Sequence, residues 1–371
     1  LETKNLYTDT NEWAWPRGGL IHTLAGVFGS GGQDHSIFHQ TFSSNGALVS
    51  KNIHQIPSHW YLPLICAYSN SSYLCTFEQS ILVRETNMNE YSVLEPFPKD
   101  VAVVANQWDG EAFSIFASSK KYGDGTLELI RINEEGKVVQ ERTHVAEKVY
   151  YALSADRPRF VTHAPSGRTF IVGGSDLEYI RASAHERDGT PLFPMGKLFN
   201  TLPRTSNSYP AVGNYGDGVL IATTGSFHVT NPWPKPNFYR LSADGELTSL
   251  PLIPLPDGEI IRNNGTIQIA IVAHGPNDAW IFMSTEDKDA NSRLVVVDWK
   301  DGAFGPVQEV MNAKDAGKTE KLYFFYFANP IAFEVDGQRW VGFRDQSVPG
   351  KYTLRLLRVD DPSCRYPPIL P

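Results

Sequence analysis

The chain is 371 residues long and carries 33 Lys and Arg against 41 Asp and Glu, a formal net charge of −8. Phosphate backbones are gripped by clustered cationic side chains, so this balance argues against a nucleic-acid partner. No apolar run approaches the ~18 residues of a membrane-spanning helix, which argues against a membrane one. Hydrophobic content of 41% with only 20% charged residues is the mixture of a folded globular chain.

The chain begins at Leu1, from which an upstream segment is expected to have been removed, either by a signal peptidase or by the choice of the expressed segment. The leading "LETKNLYTD" reads as a strand. From there onward one unit returns: an apolar strand, a Gly, Asn, Asp or Ser turn, a second apolar strand, a polar loop, and a more amphipathic third strand. The turns are "GSGGQD" near 32, "YSNSSY" near 71, "QWDGEA" near 110, "APSGRT" near 167, "NYGDGV" near 217, "GPNDAW" near 277 and "EVDGQR" near 337. Only "VMNAKDAGKTEKL" has a helical character, and that for a turn or two. The 8 Trp, 16 Tyr and 20 Phe favour pleated, half-buried surfaces over helices.

Short strands recurring at about 50 residues are the sequence pattern of β-propeller blades. The expected architecture is therefore an all-β, seven-bladed β-propeller in a single domain spanning 1–371. Its blades fall near 13–56, 57–97, 98–149, 150–200, 201–257, 258–315 and 316–364. The last repeat supplies three clear strands, so residues 1–12 are expected to complete it and close the ring, satisfying backbone groups that would otherwise face water. A two-domain arrangement broken near Pro203 is the alternative, but the period runs through that point undisturbed.

Cys66 and Cys75 are symmetric about the turn at Asn70 and Ser71, so they face each other across the first hairpin of the second repeat. Either a cross-strand disulfide or a pair of buried thiols fits. Cys364 is left without a partner. Two sequons, at Asn70 and Asn264, agree with a secreted glycoprotein. No C-x-x-C or H-E-x-x-H spacing marks a zinc site, and "GSGGQDHSIFHQ" lacks the GxGxxG order and following helix of a phosphate cradle. His35 and His39 lie four apart on a strand, hence on one face, a spacing that chance explains more readily than a metal pair even with Asp34 adjacent.

Propeller folds gather two sets of loops on one rim: those entering each innermost strand and those joining second to third strands. That resemblance places on the rim His59 and Trp60, Tyr150, Arg159, Arg204 and Tyr209, His228 and Trp233, Arg262 and Asn264, Tyr326 and Arg344. Arginines collected on one rim of an acidic protein suit an anionic ligand, because guanidinium grips carboxylate with two parallel hydrogen bonds. Interleaved aromatics suit sugar rings, whose apolar faces stack on indole and phenol. Against this stands the packing role that any single Tyr, Trp or Arg of a blade can fill.

In architecture and residue types the chain resembles the propeller-type polysaccharide lyases, which cleave uronate-containing glycans by β-elimination. The sialidase-type Ser-x-Asp-x-Gly-x-Thr-Trp box is absent. The resemblance implies Tyr150, Tyr209, His228 and Arg204 as catalytic groups. It implies Arg159, Arg262, Asn264, His59, Trp60, Trp233, Tyr326 and Arg344 as substrate contacts. It implies no cofactor, although a divalent cation would serve the same chemistry, and it implies a secreted monomer acting on an anionic polysaccharide or oligosaccharide. A non-catalytic lectin or protein-interaction propeller is the competing expectation. Rim residues that differ from blade to blade favour one asymmetric site over a repeated lectin motif.

Overall fold

The computed structural model describes residues 12–27, 35–56, 65–76, 80–84, 91–94, 101–119, 123–151, 159–163, 165–175, 179–200, 210–223, 236–261, 269–275, 277–286, 292–312, 331–345 and 353–360. Among them there is no helix, and strands account for every regular element.

The strands form antiparallel sheets in chain order, each a meander of consecutive strands. The first holds β1 (Glu12–Arg17), β2 (Leu20–Val27), β3 (His35–Ser43) and β4 (Leu48–Ile56). The second holds β5 (Ile65–Tyr68), β6 (Ser72–Thr76), β7 (Ser80–Arg84) and β8 (Tyr91–Leu94). The third holds β9 (Ala102–Trp108), β10 (Phe113–Ser118), β11 (Gly123–Ile132) and β12 (Val138–Tyr151). The fourth holds β13 (Arg159–His163), β14 (Arg168–Ser175), β15 (Tyr179–His185) and β16 (Pro191–Asn200). The fifth holds β17 (Ala211–Tyr215), β18 (Gly218–Thr223), β19 (Asn237–Leu241) and β20 (Leu247–Ser249). In the sixth, β21 (Ile260–Ile261) and β22 (Ile269–Ala273) both pair with β23 (Asp278–Glu286). There β25 (Ala303–Phe304) and β26 (Gln308–Asn312) likewise share β24 (Ser292–Lys300), so six segments fill four positions. The seventh has β27 (Ile331–Val335), β28 (Gln338–Asp345) and β29 (Thr353–Arg358).

The fold is an all-β β-propeller with six complete blades, not the seven expected. The seventh sheet has three strands among the described residues. The strand expected to complete it was drawn from residues 1–12, of which 1–11 lie outside the described residues; Glu12 belongs to β1, paired with Ala25 of β2. A second correction concerns the first turn. The glycines near 32 lie between β2 and β3, whereas β1 and β2 are joined by Gly18 and Gly19, whose φ of 56° and 72° suit a two-residue hairpin turn.

The chain divides into two compact units. Residues 60–230 with 239–249 carry the second to fifth sheets, which pack face to face in succession. Ala67, Leu74 and Leu82 of the second sheet meet Phe113, Ile115 and Ile130 of the third. Phe116, Leu127 and Val145 of the third meet Phe160 and Ile171 of the fourth. Phe170, Val172 and Ala182 then meet Val219 and Ile221 of the fifth. The first strands β5, β9, β13 and β17 touch in the same order. Because consecutive strand residues point to opposite faces, each of these sheets is apolar on both sides where neighbours cover it, and β6, β10 and β18 read as unbroken buried runs.

The other unit, residues 1–59, 231–238 and 250–371, holds the first, sixth and seventh sheets. Phe282, Leu294 and Met311 pack on Val341 and Leu357, and Ile21 packs on Phe333, Val335 and Trp340.

Candidate functional site

Each sheet has two ends. At one, the first strand turns into the second and the third into the fourth; at the other, the second strand hands over to the third and the chain enters the next sheet. The sequence reading places its site at the latter, here called the 2–3 end.

His59, Trp60, Arg204, Tyr209, His228, Trp233, Arg262, Asn264 and Tyr326 lie outside the described residues. Three predicted positions are described, and all are strand residues at the 2–3 end, not loop residues. Tyr150 occupies the penultimate rung of β12, opposite Asp124. Arg159 opens β13, half-buried and opposite Val172. Arg344 stands on β28 opposite Leu354, one rung short of the strand's end. Tyr150 and Arg159 thus flank residues 152–158, which connect the third sheet to the fourth.

The sixth sheet carries an ionic cluster at the same end that the sequence reading missed. Glu259, just ahead of β21, is 4% exposed. Its Oε1 accepts Arg293 Nε at 3.0 Å, its Oε2 accepts Arg293 Nη2, and Thr285 Oγ1 also donates to it. Arg293 Nη1 reaches Glu309 at 3.0 Å. These hydrogen bonds, Glu259 foremost, raise the Arg293 pKa above its ordinary value against the opposing effect of burial. With both oxygens engaged, Glu259 is an anchor and not a free base. It fixes the strand from which the chain runs on into Arg262 and Asn264. Nothing in the local sequence marks the cluster, because its members sit 34 and 16 residues apart and meet only through strand register.

At the opposite end, arginines serve packing. Asp109, whose side chain is wholly buried, accepts Arg131 Nε and Ser114 Oγ, each at 2.7 Å, and the amides of Glu111 and Ala112. Burial alone would raise its pKa, but these hydrogen bonds win and lower it. Arg339 is held by Asp360, reaches Asp298 at 3.4 Å, and lies 5.5 Å from the Trp280 ring centre.

The first sheet contains a stack of aromatic rings. Trp15 stands opposite His22, and His39 and His54 follow diagonally across β3 and β4 on the same face. Ring centres of Trp15, His22 and His39 lie 5.4 to 5.9 Å apart and nearly parallel. His22 Nδ1 is 3.2 Å from His39 Nε2, so one ring donates its N–H to the other. Burial, helped by Arg17, pushes the His22 pKa down to about 4. Burial, then the neighbouring His22 and His54, then Arg17, push His39 down to about 3. Both are neutral near pH 7, as core groups. His39 thus pairs with His22, and the side chain of His35 lies outside the described residues. Among the described residues no group of three or more His, Cys, Asp or Glu could hold a metal ion.

Cys66 and Cys75 are joined as a disulfide between directly opposite rungs of β5 and β6. Asn70, at the tip of that hairpin, is exposed.

No family model matches the chain, and no curated protein matches it. Among solved structures it is similar to a polysaccharide lyase, with a TM-score of 0.53 and 10% identity over 94% of this chain and 90% of that one. It is similar to an acylaminoacyl peptidase of Pyrococcus horikoshii, with a TM-score of 0.51 and 12% identity over 95% of this chain. The chain spans about half the length of that peptidase, covering 52% of it. A Synechocystis apocarotenoid oxygenase gives a TM-score of 0.50 and 10% identity over 95% of this chain and 91% of the other. At such identities the likeness is one of fold, the β-propeller, shared by proteins of unrelated chemistry.

Proposed function

We propose that the chain is an extracellular carbohydrate-active protein, a polysaccharide lyase that cleaves uronic-acid glycans by β-elimination at the 2–3 end of its sheets. The observation that carries the reading is the position of Tyr150, Arg159 and Arg344 at the 2–3 ends of their strands, with the other candidate Arg, Tyr, His and Trp residues falling in the sequence segments between such strand ends. The likeness to a polysaccharide lyase, which spans nearly the whole of both chains, supports it. The Cys66–Cys75 bridge supports an oxidising compartment.

In this reading Tyr150, Tyr209 or His228 removes the C5 proton of the uronate. The electron pair forms the C4–C5 double bond, the C4–O bond breaks, and a second of these groups protonates the departing oxygen. Each positioned acid or base contributes about 10²–10⁴-fold. Arg159, Arg204 and Arg262 hold the carboxylate and neutralise the enolate that develops on it, so the step proceeds without a cofactor. Asn264, His59, Trp60, Trp233, Tyr326 and Arg344 line the sugar path.

Incubation with uronate polysaccharides tests the proposal. A steady rise in the ultraviolet absorbance of unsaturated uronate is expected. A flat trace across glucuronate, galacturonate and iduronate polymers, with glycan binding retained, would replace the lyase with a lectin.

A further inference from the structure

Every arginine whose side chain is described has a hydrogen-bonding, ionic, ring or other electrostatic partner, with one exception. The clusters of Asp109 and Glu259 take Arg131, Arg187 and Arg293, and the remaining arginines are similarly engaged. The exception is Arg181, on β15. It is half-buried, and its Nε is shielded from solvent without an acceptor. A shielded nitrogen with no acceptor is costly, and the rest of this half-buried guanidinium stands at the surface without a carboxylate beside it, in a protein of net charge −8.

The surroundings point to a ligand. Arg181 stands opposite Gly173 on β14 and Leu198 on β16. Gly173 and Gly174 lie in the body of β14, where glycine weakens a strand and commonly marks close approach of another group. On the β14 side the cross-strand neighbour of Arg181 is consequently bare backbone. Strand alternation puts Arg181 on the face that carries Ile171 and Ser183. Ile171 packs against Phe116, Leu127 and Val145 of the third sheet, so Arg181 lies above that core, toward the 2–3 end. The next rung outward on this face is Tyr179, opposite Ser175 and Asn200. On the third sheet the corresponding end is the one where β12 runs out at Tyr150.

We propose that Arg181 is the carboxylate-binding residue of a sugar subsite between the third and fourth sheets, open at their 2–3 ends. The inference rests on the glycan-binding end proposed above and adds to it a residue and a place. The planar fork of Arg181 grips a uronate carboxylate through two hydrogen bonds, with the side-chain-free Gly173 as its neighbour on β14.

Titration calorimetry on the full chain with oligogalacturonate, oligoglucuronate and their neutral methyl esters tests this, with Arg181→Gln and Arg181→Lys as variants. The wild type is expected to bind an acid form and to bind its ester about tenfold or more weakly. Arg181→Gln should lose about 10- to 100-fold in binding the acid form while its unfolding temperature stays level or rises. Arg181→Lys, which keeps the charge but not the fork, should fall between. Equal binding by wild type and Arg181→Gln, or a lowered unfolding temperature with binding intact, overturns the proposal and makes Arg181 a packing residue. So does a wild type that binds neither acid form. If the carboxylate preference depends on Arg181 but no unsaturated product forms, the subsite stands and the lyase reading falls. If Arg181→Gln releases product at the wild-type rate, the lyase stands and the subsite falls.

Discussion

Arg187, in the turn between β15 and β16, donates from Nη2 to the main-chain carbonyl of Asp109 at 3.3 Å and pairs with Glu111, which fastens a turn of the fourth sheet onto a turn of the third. Glu134 repeats the device one sheet earlier. It lies in the turn between β11 and β12 and accepts the Ser71 amide at 3.0 Å, together with the Ser69 hydroxyl, from the turn between β5 and β6. The third-to-fourth-strand turn of one blade therefore reaches back to the first-to-second-strand turn of the blade before it.

Asp109 is the buried centre of the first of these fasteners, so Asp109→Asn leaves Arg131 facing a neutral acceptor in a site with little water. The loss is expected to be about 3 kcal/mol, the range for breaking a buried charge pair. Urea unfolding measures it, and glycan binding at the far end should not change. A loss below about 0.5 kcal/mol would mean that the turns are held by packing alone.

The histidine stack makes stability depend on acidity. The folded pKa of His22 is about 4 and that of His39 about 3, both below the unfolded value of about 6.5. As pH falls below about 6.5 the unfolded chain takes up protons that the folded chain refuses, so stability drains away until the folded pKa values are reached. For His22 the loss is on the order of 2 kcal/mol by about pH 5. Thermal unfolding at about pH 7.5 and about pH 5 checks this. His39→Gln should lessen the difference without abolishing it, since His22 remains, and a profile unchanged in that variant would remove His39 from the acid sensitivity.

How much of this was readable from the chain follows from what each feature depends on. Turns at Asn70, Gly110, Gly167, Asp217 and Gly337 were legible because two-residue and bulged turns need particular residues, and the residues are local. The second family of turns, at Gly46, Gly136, Gly189, Gly245 and Gly302, was overlooked although each glycine follows an Asn, Asp or Glu and adopts φ between 77° and 90°. A repeated acidic or amide residue before glycine was the available signal. The ionic clusters were not legible. Glu259 meets Arg293, and Arg187 meets Glu111, only after sheets are registered and stacked. The arginines expected to clamp a ligand could not be sorted in advance from those that fasten blades. Of the predicted site, the structure describes Tyr150, Arg159 and Arg344 as strand ends where loops were expected.

The Cys66–Cys75 bridge closes a short loop with a sequence separation of 9, and in the chain-entropy account such a loop stabilises by about 2.5 kcal/mol. Unfolded in denaturant without reductant, the chain should expose one reactive thiol, and with reductant all three of its cysteines. Mass measurement after alkylation gives both counts. Three thiols without reductant, in protein prepared from an oxidising compartment, would show that the hairpin holds its cysteines reduced. Cys66→Ser with Cys75→Ser should lower the unfolding temperature and leave the 2–3 end unaffected.

Arg204 separates the catalytic proposal from the fold. It is proposed to hold the uronate carboxylate as negative charge builds on it, an interaction that strengthens toward the transition state. Truncation should therefore lower kcat more than it raises KM. Loss of one such charge-stabilising donor costs about 10²–10³-fold in kcat. Arg204→Ala is expected to show that loss by product absorbance with the unfolding temperature nearly unchanged. Arg204→Lys should recover part of kcat, since the charge remains while the fork is lost. Wild-type turnover in the alanine variant would remove Arg204 from the site. A parallel fall in unfolding temperature would instead mark it as another blade fastener, the role already filled by Arg131 and Arg187.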